Sequence, residues 1–262
     1  MTDAPGPLAD SLPFDGLLAE SEANADVDAL TARLKADGYL FFRALVDERR
    51  LFEVRRDILA LCLEEGWLDA TAPLMAGMYS GRPIPTAEEY LQLYYKLITI
   101  DSFNRLASAP ELVATLTRLL GGAILVHTRN IARISFPQNA NGTTQPHQDF
   151  FYIHGTPETY TTWIPLGDCP RDLGGLAIAE GSHQGGLIEH EPTTGPGGRG
   201  VRITGRWLTA DYRAGDVLLF HSHTVHAALQ NLTVDRVRLS VDYRYQLRDL
   251  PVDPSSLLPH SG

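Results

Sequence analysis

Cysteine is nearly missing from this 262-residue chain, which holds only Cys62 and Cys169. Two cysteines that far apart make neither a disulfide framework nor a zinc knuckle, so both are expected as buried apolar thiols. Basic charge is also scarce. Twenty-two Lys and Arg stand against 32 Asp and Glu, a formal charge of −10, and the longest basic runs are the pairs Arg49-Arg50 and Arg55-Arg56. Phosphate backbones are held by clustered cations, so no nucleic-acid partner is expected. No apolar run approaches the roughly 18 residues of a membrane span. The N-terminus opens on Asp3, Pro5 and Pro7 instead of a basic segment followed by an apolar one. The expectation is an untargeted, cytoplasmic protein with no membrane partner; its oligomeric state is not readable from sequence. What remains is ordinary globular material, 44% hydrophobic and 21% charged, enough for one large domain or two small ones.

The chain divides by texture. Residues 1–25 carry Pro5, Pro7, Pro13, Gly6 and Gly16 without apolar periodicity, which predicts a flexible N-terminal arm. Residues 26–262 are expected to form a single domain, mainly helical over 26–122, with a β core over 123–248 and a C-terminal tail over 249–262. In the helical part Val27, Leu30 and Leu34, and then Leu51, Val54, Ile58 and Leu61, recur at three- and four-residue spacing. Asp47 is a candidate cap for the second run. A further helix is expected over Pro110 to Leu120, opened by Ser108 and Pro110 and closed by Gly121-Gly122, and Tyr39 to Phe42 reads as a short buried strand. From Ala123 onward short strands separated by Gly, Pro, Asn and Asp are expected at 124–127, 131–136, 161–166, 176–179, 216–220 and 237–245. That series suits an antiparallel sandwich or jelly roll. The Gly- and Pro-rich stretch from Gly185 to Arg206 is too long for a simple hairpin and is either a lid or an inert surface insertion.

Histidine is unevenly placed: all nine lie after residue 126. In His147-Gln148-Asp149 two ligand-type side chains stand at spacing two, so on an extended segment both leave the same face. A third ligand is available from His221, His223 or His226, just past a predicted strand. Two His and one carboxylate on one side of an ion leave its other positions open, the facial arrangement of non-haem Fe(II) oxygenases.

Further landmarks follow His147 and Asp149 in a fixed order: Gly174-Gly175-Leu176, Glu180-Gly181-Ser182-His183, Gly215-Asp216, Phe220, His226, Asn231 and the run Arg236 to Ser240. Over roughly residues 123–245 this series resembles the phytanoyl-CoA dioxygenase family of Fe(II)- and 2-oxoglutarate-dependent oxygenases. The resemblance implies a mainly β fold with N-terminal helices, a double-stranded β-helix (jelly roll, cupin-like), and one catalytic domain over 26–262. It implies Fe(II) and 2-oxoglutarate as cofactors, with O2 and a small-molecule substrate as reaction partners, and a hydroxylase that releases succinate and CO2. Carried over residue by residue, His147, Asp149 and His226 become the iron ligands, with His226 preferred over His221 and His223 because it stands a few residues before the turn Asn231. His183 carries no catalytic role.

An Arg holds the far carboxylate of 2-oxoglutarate in the family, a task suited to a planar, permanently charged fork. Arg236 is the first candidate, because the family's Arg opens the last strand just after the Asn turn. Arg238 is the alternative, and Arg238-Leu239-Ser240 resembles an Arg-x-Ser pairing of other 2-oxoglutarate oxygenases, with Ser240 as a second contact. Trp163 resembles a strand residue bordering the cofactor, and core packing is its plain alternative. Arg133 and Asn130 are possible cavity residues. Ala228 stands where some members have Ser, and any polar contact from there is lost. Two other readings compete. A related halogenase would carry a small residue in place of Asp149, and a non-catalytic or differently metallated jelly-roll binding protein would need no cofactor Arg.

Overall fold

The computed structural model describes residues 14–260. In chain order the first part holds β1 (Phe14–Leu17), β2 (Glu20–Ser21), α1 (Val27–Asp37), β3 (Tyr39–Phe42), α2 (Glu48–Glu64), α3 (Ala87–Leu97), α4 (Asp101–Leu106) and α5 (Pro110–Leu120). The helix ends are written into the sequence. Asp26 accepts the backbone N–H of Ala29 and Gly38 closes α1 in the left-handed conformation. Asp47 accepts from Arg49 at the start of α2. Thr86 and Glu89 form a reciprocal capping box on α3. For α5 the expected span holds, with Pro110 in the first turn and Gly121 at the close, but the cap position is Ala109 and no side chain caps it.

The second part holds β4 (Ile124–Val126), β5 (Ile131–Ser135), α6 (Phe150–Ile153), β6 (Thr159–Pro165), β7 (Leu176–Ala179), β8 (Glu191–Pro192), β9 (Arg199–Gly200), β10 (Trp207–Thr209), β11 (Val217–His221), β12 (His226–Ala228) and β13 (Arg238–Leu247). The larger sheet runs β2-β3-β11-β6-β13-β4, with β5 also paired to β13, and the smaller runs β1-β10-β7-β12. Two facing, mainly antiparallel sheets preceded by helices make the expected jelly roll.

Strand alternation separates structure from chemistry. On β13 the odd residues Leu239, Val241, Tyr243 and Tyr245 join the apolar cluster formed with α2 to α5. Tyr243 and Tyr245 donate their hydroxyls to the carbonyls of Phe103 and Ala107 at 2.7 and 2.8 Å, so neither phenol is buried unpaired. The even residues Arg238, Ser240, Asp242, Arg244 and Gln246 are all buried on the opposite face, inside the roll. At one end of that interior Trp163, Phe41, Phe220, Ile178 and Leu218 form a second apolar cluster. The polar residues of β13 therefore face an interior whose other side chains are largely apolar.

Two expectations change on seeing the fold. The flexible arm expected over 1–25 is corrected in its second half: β1 pairs in parallel with β10, and β2 with β3. The first half, 1–13, lies outside the described residues. The stretch from Gly185 to Arg206 contains the small β8–β9 hairpin. Its Ile188, Val201 and Ile203 pack on Ala177, Ala179 and Ala227 of the smaller sheet, so the segment covers an apolar face that would otherwise meet water. Among the described residues no helix is long and apolar enough to cross a membrane.

Candidate metal centre

His147 and His226 exchange backbone hydrogen bonds in both directions, each 3.0 Å long. This isolated bridge places the two imidazoles side by side, with ring centroids 4.2 Å apart. The segment carrying His147 does not continue as a straight strand. Asp149 has helical backbone angles and starts α6, so the third group joins the histidines through a bend, where the spacing had suggested an extended run. The ligand atoms of His147, Asp149 and His226 all lie within 4.8 Å of one another, and all three residues are buried.

Hydrogen bonds set the tautomers. Nδ1 of His147 faces the Gln145 carbonyl at 2.8 Å, and Nδ1 of His226 faces the Thr224 carbonyl at 3.0 Å. Each Nδ1 must carry the proton, which leaves both Nε2 lone pairs directed at Asp149 Oδ1, 3.9 and 4.0 Å away. Such outer hydrogen bonds orient metal-binding imidazoles. Burial pushes the His147 pKa well below its ordinary value and lowers that of His226 as well, so both rings are neutral, the form that binds metal. Burial would raise the Asp149 pKa, but the Arg244 guanidinium beside it holds the carboxyl far below the usual range. Two neutral imidazoles and one carboxylate, buried and convergent, are the donor set of a 2-His-1-carboxylate metal site.

The remaining predicted residues fall into two groups. Arg238 is buried on the inner face of β13, where Nε donates to the Gly174 carbonyl at 2.8 Å and Nη1 to Ser240 Oγ at 2.6 Å. No carboxylate pairs with it among the described residues. Arg236, the first candidate, does not share the buried inner face of β13: it lies before β13 begins, its side chain is 44% exposed, and it stands beside Asp235. The cause is Asn231, whose Nδ2 donates to the carbonyls of Arg236 and Ser135 and holds the chain in a loop until residue 237. Trp163 is buried in the apolar cluster between the sheets, its ring 4.7 Å from Tyr212. His221 points toward Glu158 and His223 toward the Phe150 ring, so neither joins the triad.

Three interior groups escaped the reading of the sequence. Arg244 donates to both oxygens of Asp149. Asp242 pairs with Arg133 at 2.8 Å, and Thr161 donates to Asp149. The signal was present: polar residues at every second position from 238 to 246, alternating with Leu, Val and Tyr, mark a strand with a functional inner face. Arg133, Arg238 and Arg244 outnumber Asp149 and Asp242, and the surplus positive charge sits at Arg238. A buried guanidinium without a charge partner is costly in a protein interior.

The sequence profile of the phytanoyl-CoA dioxygenase family (PhyH) matches residues 34–239. The chain belongs to this family. A curated relative, the 1-deoxypentalenic acid 11-beta-hydroxylase of Streptomyces arenae, is 33% identical over 160 residues, 55% of this chain and 56% of the relative. The match thus spans little more than half of that protein's length. Among solved structures, the epimerase SnoN in complex with Fe3+, alpha ketoglutarate and nogalamycin RO superposes with a TM-score of 0.62 at 24% identity, covering 90% of this chain and 91% of the other. The alpha ketoglutarate dependent carbocyclase SnoK of nogalamycin biosynthesis gives 0.58 at 21% identity, with 90% of each chain covered. These two likenesses establish the shared jelly roll.

Proposed function

We propose that this member of the phytanoyl-CoA dioxygenase family is an Fe(II)- and 2-oxoglutarate-dependent hydroxylase of a small molecule, consuming O2 and releasing succinate and CO2. The observation that carries the reading is the buried triad of His147, Asp149 and His226 with both Nε2 lone pairs free and converging on one carboxylate oxygen. Arg238 supports it: a cation in the same interior, with no carboxylate partner among the described residues, fits the far carboxylate of a dicarboxylic co-substrate, with Ser240 as a second donor. Bound there, iron and 2-oxoglutarate together supply the oxidising power for attack on a C–H bond.

The protein's own part is to hold, orient and exclude. His147, Asp149 and His226 fix the ion's position, Arg238 and Ser240 fix one end of the co-substrate, and Trp163 forms part of the apolar wall beside them. The surrounding aromatic cluster keeps bulk water from the reacting groups. The matched relative is named for hydroxylation of 1-deoxypentalenic acid, and a small organic substrate of that general kind is the reading adopted for this chain. A cytoplasmic location fits the two unpaired cysteines. A bare binding jelly roll has no use for the unpaired Arg238, and the halogenase reading conflicts with the carboxylate of Asp149. The deciding experiment is a screen of candidate metabolites with Fe(II), 2-oxoglutarate and O2, scored for substrate-dependent succinate and a product with one added oxygen. Loading of both cofactors without succinate from any candidate would count against a hydroxylase.

A further inference from the structure

The carboxylate of Asp149 is gripped on a particular edge. Arg244 approaches it as a fork, Nη2 to Oδ1 at 2.9 Å and Nε to Oδ2 at 3.2 Å. Two such parallel bonds occupy the edge between the two oxygens. Thr161 Oγ1 donates to Oδ2 at 2.5 Å and takes that oxygen's other direction. A carboxylate has about four acceptor positions: both of those on Oδ2 and one on Oδ1 are used. Among the described residues the single free position is on Oδ1, the oxygen that faces Nε2 of His147 and His226.

The grip is built into the most regular part of the fold. Arg244 and Thr161 are directly opposite each other in the β13–β6 ladder, so their side chains share the inner face. Both residues are buried, and Nη1 of Arg244 reaches the Arg129 carbonyl at 3.4 Å.

From this geometry, and resting on the metal site proposed above, we infer that Arg244 is a positioning residue, assisted by Thr161, that restricts Asp149 to binding metal through one oxygen. An ion chelated by both oxygens would need the edge that the guanidinium fills. The consequence lies in the count of open positions. With two imidazoles and one oxygen, an octahedral ion keeps three positions free, two for a chelating 2-oxo acid and one more. A chelating carboxylate would leave two, both consumed by the co-substrate.

The test reads that count directly. The protein is loaded with Mn(II) alone, and the number of water ligands is obtained from the broadening of the Mn(II) EPR lines in 17O-enriched water. The wild-type protein is expected to hold three waters, Arg244→Gln and Arg244→Met two, and Thr161→Val three, because the edge stays blocked. A residue that only neutralised a buried carboxylate would leave the count at three in every variant. Two waters in the wild-type protein would overturn the inference whether or not the Arg244 variants fold, and so would three waters in folded Arg244→Gln and Arg244→Met. Absence of Mn(II) binding in the wild-type protein is distinguishable from both and would remove the metal site itself, and the inference with it.

Discussion

Arg238 and Ser240 stand two residues apart on the inner face of β13, joined by a 2.6 Å hydrogen bond from Nη1 to Oγ. The bond points the buried guanidinium along the strand, and among the described residues no carboxylate pairs with it. Arg238→Ala should therefore weaken 2-oxoglutarate binding by about 2–5 kcal/mol, roughly thirtyfold to several-thousandfold, while metal binding survives. Arg236→Ala should leave the dissociation constant unchanged, because that side chain faces solvent. Titrations under anaerobic Fe(II) compare the two, and a loss confined to Arg236→Ala would return the role to the exposed residue.

Removing a ligand should have unequal side effects. His147→Ala, Asp149→Ala and His226→Ala should each abolish tight Fe(II) binding and turnover. Asp149→Ala should also strip Arg244 of its buried partner, at a cost of about 3–5 kcal/mol in stability. Metal affinity and denaturant unfolding of the metal-free proteins, measured together, check both parts. Asp149→Ala as stable as the wild-type protein would show that the Arg244 pair is not held as described.

Gln148 lies between the ligands in sequence but serves the neighbouring segment. Its Nε2 donates to the carbonyls of Gly186 and His223 at 2.8 and 2.6 Å, and its Oε1 accepts from the Ile188 N–H at 2.7 Å. Gln148→Ala leaves these partly buried groups without their amide partner, and a loss of about 1–3 kcal/mol is expected. Proteolysis between Glu191 and Arg206 should accelerate with it. An unchanged cleavage rate would show that the segment is held mainly by its apolar contacts.

Acid should destabilise the metal-free protein early. Burial lowers the pKa of His221 from 6.5 to about 4, against the opposing pull of Glu158, and burial with the nearby Arg129 lowers His260 to about 4. These rings stay neutral in the folded chain while their unfolded counterparts take up protons. The unfolded state thus binds more protons below pH 6.5, and stability falls as the pH drops from 6.5 toward 4, by about 1.4 kcal/mol per pH unit for each such histidine. Denaturant unfolding across that window checks the slope. A flat profile would mean that the histidines titrate equally in both states.

Much of this was legible because the physics is local. Leu30 and Leu34, or Leu51, Val54 and Ile58, repeat at helical spacing and are buried where that spacing places them. β1, β10 and β12 have at most four residues each, and β1 finds its partner across the whole chain at Trp207, so no short window could reveal them. The capping box at Thr86 and Glu89 is a local sequence signal for the start of α3. The choice between Arg236 and Arg238 turned on where β13 begins. That boundary is set by the Asn231 side chain holding the Arg236 carbonyl, a contact that alternation does not encode.

The central claim is that one buried triad and one buried arginine together hold iron and 2-oxoglutarate. Its most direct test is a titration of the anaerobic Fe(II) protein with 2-oxoglutarate, watched for the charge-transfer band of the chelated 2-oxo acid. The wild-type protein is expected to develop a saturable band, Arg238→Ala the same band only at far higher 2-oxoglutarate, and His226→Ala none. No band in the wild-type protein at any 2-oxoglutarate concentration, with Fe(II) bound, would contradict the claim.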